Sequence, residues 1–146
     1  MLIRALAPSD VAGHRRVEIT DLAFDARRVG SGSLFFCVPG ERADGHRFAR
    51  DAVAAGAVAV VVEHPVDVDV PQLVVDDSRA AMAVAADVFF DEPTRQLEVA
   101  GVTGTNGKTT STFLLRAMLE AAERRPGLVG TVDWVVGGER RSAPHT

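Results

Sequence analysis

Lys108 is the only lysine in a 146-residue chain with 16 basic side chains, the other 15 being arginine. It stands in Gly104-Thr-Asn-Gly-Lys-Thr-Thr110, a spacing that suits a polyphosphate. Glycines at 104 and 107 keep side chains away so that several backbone N–H groups can converge. A lysine adds a compact positive charge, and a helix N-terminus adds a dipole that favours anions. The Thr109 hydroxyl falls where a phosphate-bound Mg²⁺ takes a protein ligand, and Thr105, Asn106 and Thr110 complete the candidate set through their backbone donors. The expected ligand is a Mg²⁺-nucleotide, with Thr109 the candidate metal ligand. The strict pattern G-x-x-x-x-G-K-[ST] would place its first glycine at Val102, with Gly101 and Gly104 on either side. The reading therefore rests on the order strand, loop, helix.

That order makes demands on the neighbouring elements. The apolar stretch at Leu97 reads as the strand that delivers the loop. Leu115, Met118, Leu119 and Ala122 recur at helical spacing, so a helix is expected from Lys108 to about Arg125, stopped by Pro126-Gly127. Leu128–Val136 reads as the next strand, and Gly137-Gly138 as a turn into 139–142. This reads as the opening β-α-β of a larger nucleotide-binding sheet, and it leaves apolar surface uncovered, so the chain is expected to be part of a longer protein.

Upstream lies a second α/β unit. Residues 1–16 have no firm period, whereas Val17–Phe24 alternates as a strand does and Leu34–Val38 is a short buried run between turn clusters. Phe48, Ala52 and Ala55 share a helical face capped by Gly56. Ala57–Val62 is continuous and β-branched, as a strand covered on both faces of a parallel sheet is. Gln72–Val75 is another strand, and Asp77 or Ser78 caps a helix to about Phe90. In that setting Asp76 and Asp77 read as capping groups, and Met82 and Met118 as core. Pro93 ends that helix and sets the boundary: 1–93 is one unit and 94–146 the second.

Composition narrows the function classes. A net charge of −4 and a pI near 5.5 argue against a nucleic-acid face. Cys37 is the single cysteine, so no intrachain disulfide forms and a reducing cytoplasm fits. The first ten residues lack the apolar core of a signal peptide, and the run Ala52–Val62 is too short to cross a bilayer, so no membrane association is expected. His14, His46, His64 and His145 lack ligand spacing and read as loop histidines.

Together, Phe24-Asp-Ala-Arg27, Gly32-Ser-Leu-Phe-Phe-Cys-Val-Pro-Gly40, Asp44-Gly-His-Arg-Phe48, Gly56–Glu63 and Gly101–Thr110 resemble the N-terminal part of a Mur ligase, nearest the MurE type. The resemblance implies a small α/β uridine-nucleotide domain followed by the start of the central ATPase domain. It also implies an activity: ATP converts the D-glutamate carboxylate of UDP-MurNAc-L-Ala-D-Glu to an acyl phosphate, which the amino group of a diamino acid attacks. By the same resemblance, Phe24, Ala26, Glu41, Arg42 and Ala43 contact the uridine nucleotide, and His145 and Thr146 begin the muramoyl-peptide contacts. The family's serine is Ala26 here, which removes a hydroxyl from that set. The family also needs a carbamylated lysine, further Mg²⁺ ligands and an amino-acid-binding third domain. Those are not among these residues, so the isolated chain is expected not to ligate. The competing readings are a MurF-type ligase, a nucleotide-binding module without chemistry, and a small P-loop kinase.

Overall fold

A computed structural model describes residues 2–13, 16–40 and 43–143. Glu41, Arg42, His14, His145 and Thr146 lie outside the described residues. The chain divides into Met1–Leu97 and Glu98–Thr146.

The first unit is a three-layer α/β sandwich. Its elements are α1 (Leu2–Leu6), β1 (Asp10–Ala12), β2 (Asp21–Ala23), β3 (Ser33–Phe36), α2 (Ala49–Ala55), β4 (Ala57–Val62), β5 (Gln72–Val74) and α3 (Ser78–Phe89). The sheet order is β1-β5-β4-β3-β2. Strands β2 to β5 run parallel, and β1 pairs antiparallel on β5. Because successive strand side chains point to opposite faces, β3 and β4 serve two cores at once. Leu34, Phe36, Ala59 and Val61 face α3, packing with Leu73, Ala81 and Ala85. Phe35, Cys37, Val60 and Val62 face α2, packing with Ala49 and Ala52. Ala57–Val62 is thus covered on both faces, as its unbroken β-branched run predicts.

Several details differ from the sequence reading. The N-terminal residues form α1 and β1, and Leu6 reaches the core. Only Asp21–Ala23 of the alternating 17–24 stretch pairs as strand, although Val17 and Ile19 pack on the core. The buried face of α2 is Ala49 and Ala52, since Phe48 belongs to the preceding 3₁₀ turn (Gly45–Phe48) and is exposed. Gly56 does end α2, at φ 117°, with Ser31 backbone 3.0 Å from where a Cβ would stand. Asp77 caps α3, accepting from the Ala80 N–H at 2.8 Å.

The second unit comprises α4 (Lys108–Ala121) and the sheet β6 (Leu128–Val129), β7 (Asp133–Val136), β8 (Glu139–Ser142), antiparallel throughout. The strand expected at Leu97 is not formed: 97–103 pairs with no strand among the described residues, and Leu97 and Val99 are exposed. A parallel strand gains its hydrogen bonds only from a neighbour. The run Leu128–Val136 is interrupted at Gly130–Val132, where the Gly130 N–H turns back onto the Asp133 carbonyl at 3.1 Å. Helix α4 stops at Ala121 rather than Arg125 because Glu123 takes φ 58° and Arg124 N–H returns to the Leu119 carbonyl at 2.9 Å, a reversal that closes the last turn. Met118, expected in a core, is 69% exposed. No described helix is long and apolar enough to cross a membrane.

Candidate functional site

In parallel sheets, ligands meet the loops beyond the carboxyl ends of the strands. In the first unit those ends carry the candidate uridine residues. Phe24 follows β2 directly and is 59% exposed. Ala26 opens a 3₁₀ turn (Ala26–Arg28) and is half-buried against the α2-side core. Asp25 caps that turn: its carboxylate accepts the Arg27 N–H at 3.0 Å and Arg27 Nη2 at 2.7 Å. The Arg27 side chain, then its backbone N–H, hold the Asp25 carboxyl down at about 2. Ala43 lies on the loop beyond the adjacent strand β3, and its carbonyl accepts the Gly40 N–H at 3.0 Å. Phe24, Ala26 and Ala43 therefore lie beyond the carboxyl ends of two adjacent strands, β2 and β3.

The structure adds a group that the sequence reading passed over. His46, read as a loop histidine, is 7% exposed. Its Nδ1 lies 2.6 Å from Asp44 Oδ1, and its Nε2 accepts the Glu63 N–H at 2.9 Å, so the ring proton sits on Nδ1. Asp44 also caps the Gly45–Phe48 turn through the His46 N–H at 3.0 Å. That backbone bond first, then the imidazole, lower its carboxyl pKa. The His64 ring stacks on His46 at 4.1 Å. Asp44, His46 and His64 bring three possible ligand atoms within 4.8 Å of one another, but both His46 nitrogens are already committed to protein partners. The signal for this cluster was Asp44-Gly-His46 itself: the carboxylate two residues before the histidine caps the turn, and a Cβ at Gly45 would strike Val38 backbone at 2.6 Å.

In the second unit, Gly104 and Gly107 take φ 150° and 75°, which only glycine adopts without cost. Gly107 is the N-cap of α4 and no side chain caps it. The first intrahelical bond is from Ser111 N–H to the Gly107 carbonyl, at 2.8 Å. The N–H groups of Lys108, Thr109 and Thr110 thus precede the helical ladder and stay available to an anion. Lys108 Nζ folds onto the carbonyls of Gly104 and Thr105, so a cation already stands over the loop. Gly104 to Thr110 are all exposed. The donors, the ammonium and the Thr109 hydroxyl are the groups that a Mg²⁺-polyphosphate needs, and they lie within one seven-residue segment.

Residues 18–114 match the Mur ligase family, catalytic domain, and the chain belongs to that family. It is 50% identical over 129 residues, 88% of its length, to the UDP-N-acetylmuramoyl-L-alanyl-D-glutamate–2,6-diaminopimelate ligase of Geobacillus kaustophilus. Among solved structures, it resembles a MurF from Acinetobacter baumannii with a TM-score of 0.66 and 31% identity, over 90% of this chain and 29% of that one. It also resembles a Thermotoga maritima MurF in complex with ADP, with a TM-score of 0.53 and 31% identity, over 69% and 23%. The chain spans 26% of the Geobacillus ligase's length.

Proposed function

We propose that the chain is the nucleotide-handling part of an ATP-dependent ligase that joins 2,6-diaminopimelate to UDP-N-acetylmuramoyl-L-alanyl-D-glutamate, a cytoplasmic step of peptidoglycan synthesis. The observation that carries this reading is the uncapped start of α4 behind Gly107, with Lys108 folded over it. The loop is ready for a polyphosphate in a chain half identical to a diaminopimelate ligase. Residues 1–93 take the UDP portion through Phe24, Ala26 and Glu41–Ala43. His145 and Thr146 begin the contacts to the muramoyl peptide, and 94–146 hold ATP.

Bound Mg²⁺-ATP supplies the phosphoryl group that turns the D-glutamate carboxylate into an acyl phosphate, from which phosphate leaves when the diamino acid's amino group attacks. The residues of this chain act by positioning and charge. Lys108 releases the Gly104 and Thr105 carbonyls and neutralises the β/γ-phosphates. The N–H groups of 105–110 orient the phosphate oxygens, and Thr109 offers its hydroxyl to the metal. The curated relatives at 40–50% identity are named 2,6-diaminopimelate ligases, which favours the diamino acid over a dipeptide as second substrate.

A chimera tests the proposal: the corresponding quarter of the Geobacillus ligase is replaced by this chain, and ATP- and diaminopimelate-dependent product is measured. The chimera is expected to ligate, its Lys108→Met form to be inactive, and the 146-residue chain alone to give no product. A chimera that is folded yet inactive, or product from the isolated chain, contradicts it.

A further inference from the structure

The loop beyond β3 is fastened at both ends by residues that sequence reading gives no contact with ligand. Within the reversal, Gly40 N–H donates to the Ala43 carbonyl at 3.0 Å and Gly45 N–H to the Val38 carbonyl at 3.1 Å, and Pro39 bridges to Asp44. The entry limb is held by Arg79, whose Nη2 donates to the Pro39 carbonyl at 3.0 Å. The exit limb is held by His46, through Asp44 on one side and the Glu63 N–H on the other. Glu63 in turn accepts from the Ser78 N–H and hydroxyl at 2.9 and 2.8 Å, and Ser78 is the neighbour of Arg79. The bonds close a ring from Pro39 to Arg79 and Ser78, across Glu63 and His46, to Asp44 and back. It joins the loop to the end of β4 and the first turn of α3, and its links at His46 and Ser78 are buried.

A hydrogen bond from a buried group holds its partner in place because leaving either atom unpaired is costly. The ring therefore fixes Pro39 and Asp44 and, through the Gly40–Ala43 hydrogen bond, the positions of Gly40 and Ala43. We infer that His46 and Arg79 are positioning residues for a uridine-nucleotide ligand: they hold Gly40 and Ala43 in place for binding and do not touch the ligand. This rests on the uridine reading above.

The test uses the 146-residue chain with UDP as probe, following affinity by calorimetry and amide hydrogen exchange at Gly40 and Gly45. His46→Phe removes both ring bonds and is expected to weaken UDP binding about tenfold or more while Gly40 and Gly45 exchange faster. His46→Gln, which can still accept the Glu63 N–H, recovers most of both. Arg79→Met, at an exposed position that does not threaten folding, gives the same paired change at about threefold. If wild type binds UDP and both Arg79→Met and a folded His46→Phe leave affinity and exchange unchanged, the positioning role is wrong and the uridine reading stands. Affinity lost without any change in exchange also overturns it, because the residues would then contact the ligand. A folded wild-type chain that binds no UDP overturns the uridine reading and this inference together.

Discussion

The two units carry their candidate nucleotide residues in opposite ways. The first carries its candidate residues on loops at the end of a sheet packed on both faces, and a ring of side-chain bonds ties one of those loops to β4 and α3. The second needs almost no side-chain support: two glycines in left-handed conformations and the open start of α4 place the donors by backbone geometry alone, and α4 has no buried residue. Base and sugar recognition requires shape, which a packed scaffold supplies. Phosphate recognition requires converging N–H groups and charge, which a short loop supplies.

The contrast breaks most visibly if core substitutions act alike in both. Phe36→Ala removes a fully buried ring between β3 and α3 and is expected to cost the first unit about 3–5 kcal/mol. Met118→Ala on the exposed side of α4 is expected to change stability by less than about 0.5 kcal/mol. Urea unfolding followed through NMR signals of each unit separates the two. Next in size is Cys37, whose thiol burial pushes from 9.0 up to about 12. Its thiolate population at pH 8 is expected to be about a thousandfold below that of a free thiol. An alkylating reagent should then leave the native chain unmodified and react promptly in urea.

Smaller effects sharpen the comparison at the sites. Lys108→Met is expected to lower ATP affinity about 10–100-fold, the worth of a charged phosphate contact, and to leave UDP affinity unchanged by calorimetry. The smallest effect belongs to Asp25. Its carboxyl is lowered from 3.8 to about 2 by Arg27, so the stabilisation it gives is fully present above about pH 4 and is lost as pH falls through about 2. Because the pair is surface-exposed, the amount is under about 1 kcal/mol. Arg27→Ala should return the carboxyl to the ordinary range in an NMR titration.

Legibility followed locality. The β-branched run 57–62, the Asp77 cap and the Gly56 stop were readable because each is decided within a few residues. The N-terminal elements were missed because α1 and β1 are short and are formed by tertiary contact: Leu6 enters a core built downstream, and β1 exists by pairing with β5. The strand at Leu97 was over-read for the converse reason, since an apolar run specifies a strand only when a neighbour pairs with it. The end of α4 was misplaced because Ala-Ala-Glu-Arg-Arg favours helix by propensity, while Glu123 adopts φ 58° and turns the chain. The helix start at Lys108 was legible because Gly107, at φ 75°, is its cap. The His46 ring was not, because it joins positions 39, 63 and 79, which no sequence period relates.

The measurement that bears most directly on two sites in two units is an amide-resolved NMR titration of the 146-residue chain, first with UDP and then with Mg²⁺-ATP. The account predicts two separate sets of perturbed amides: residues 24–46 with the first ligand, and 104–110 with the second. If Mg²⁺-ATP moved no amide between Gly104 and Thr110, or if both ligands perturbed the same unit, the division of labour described here would be wrong.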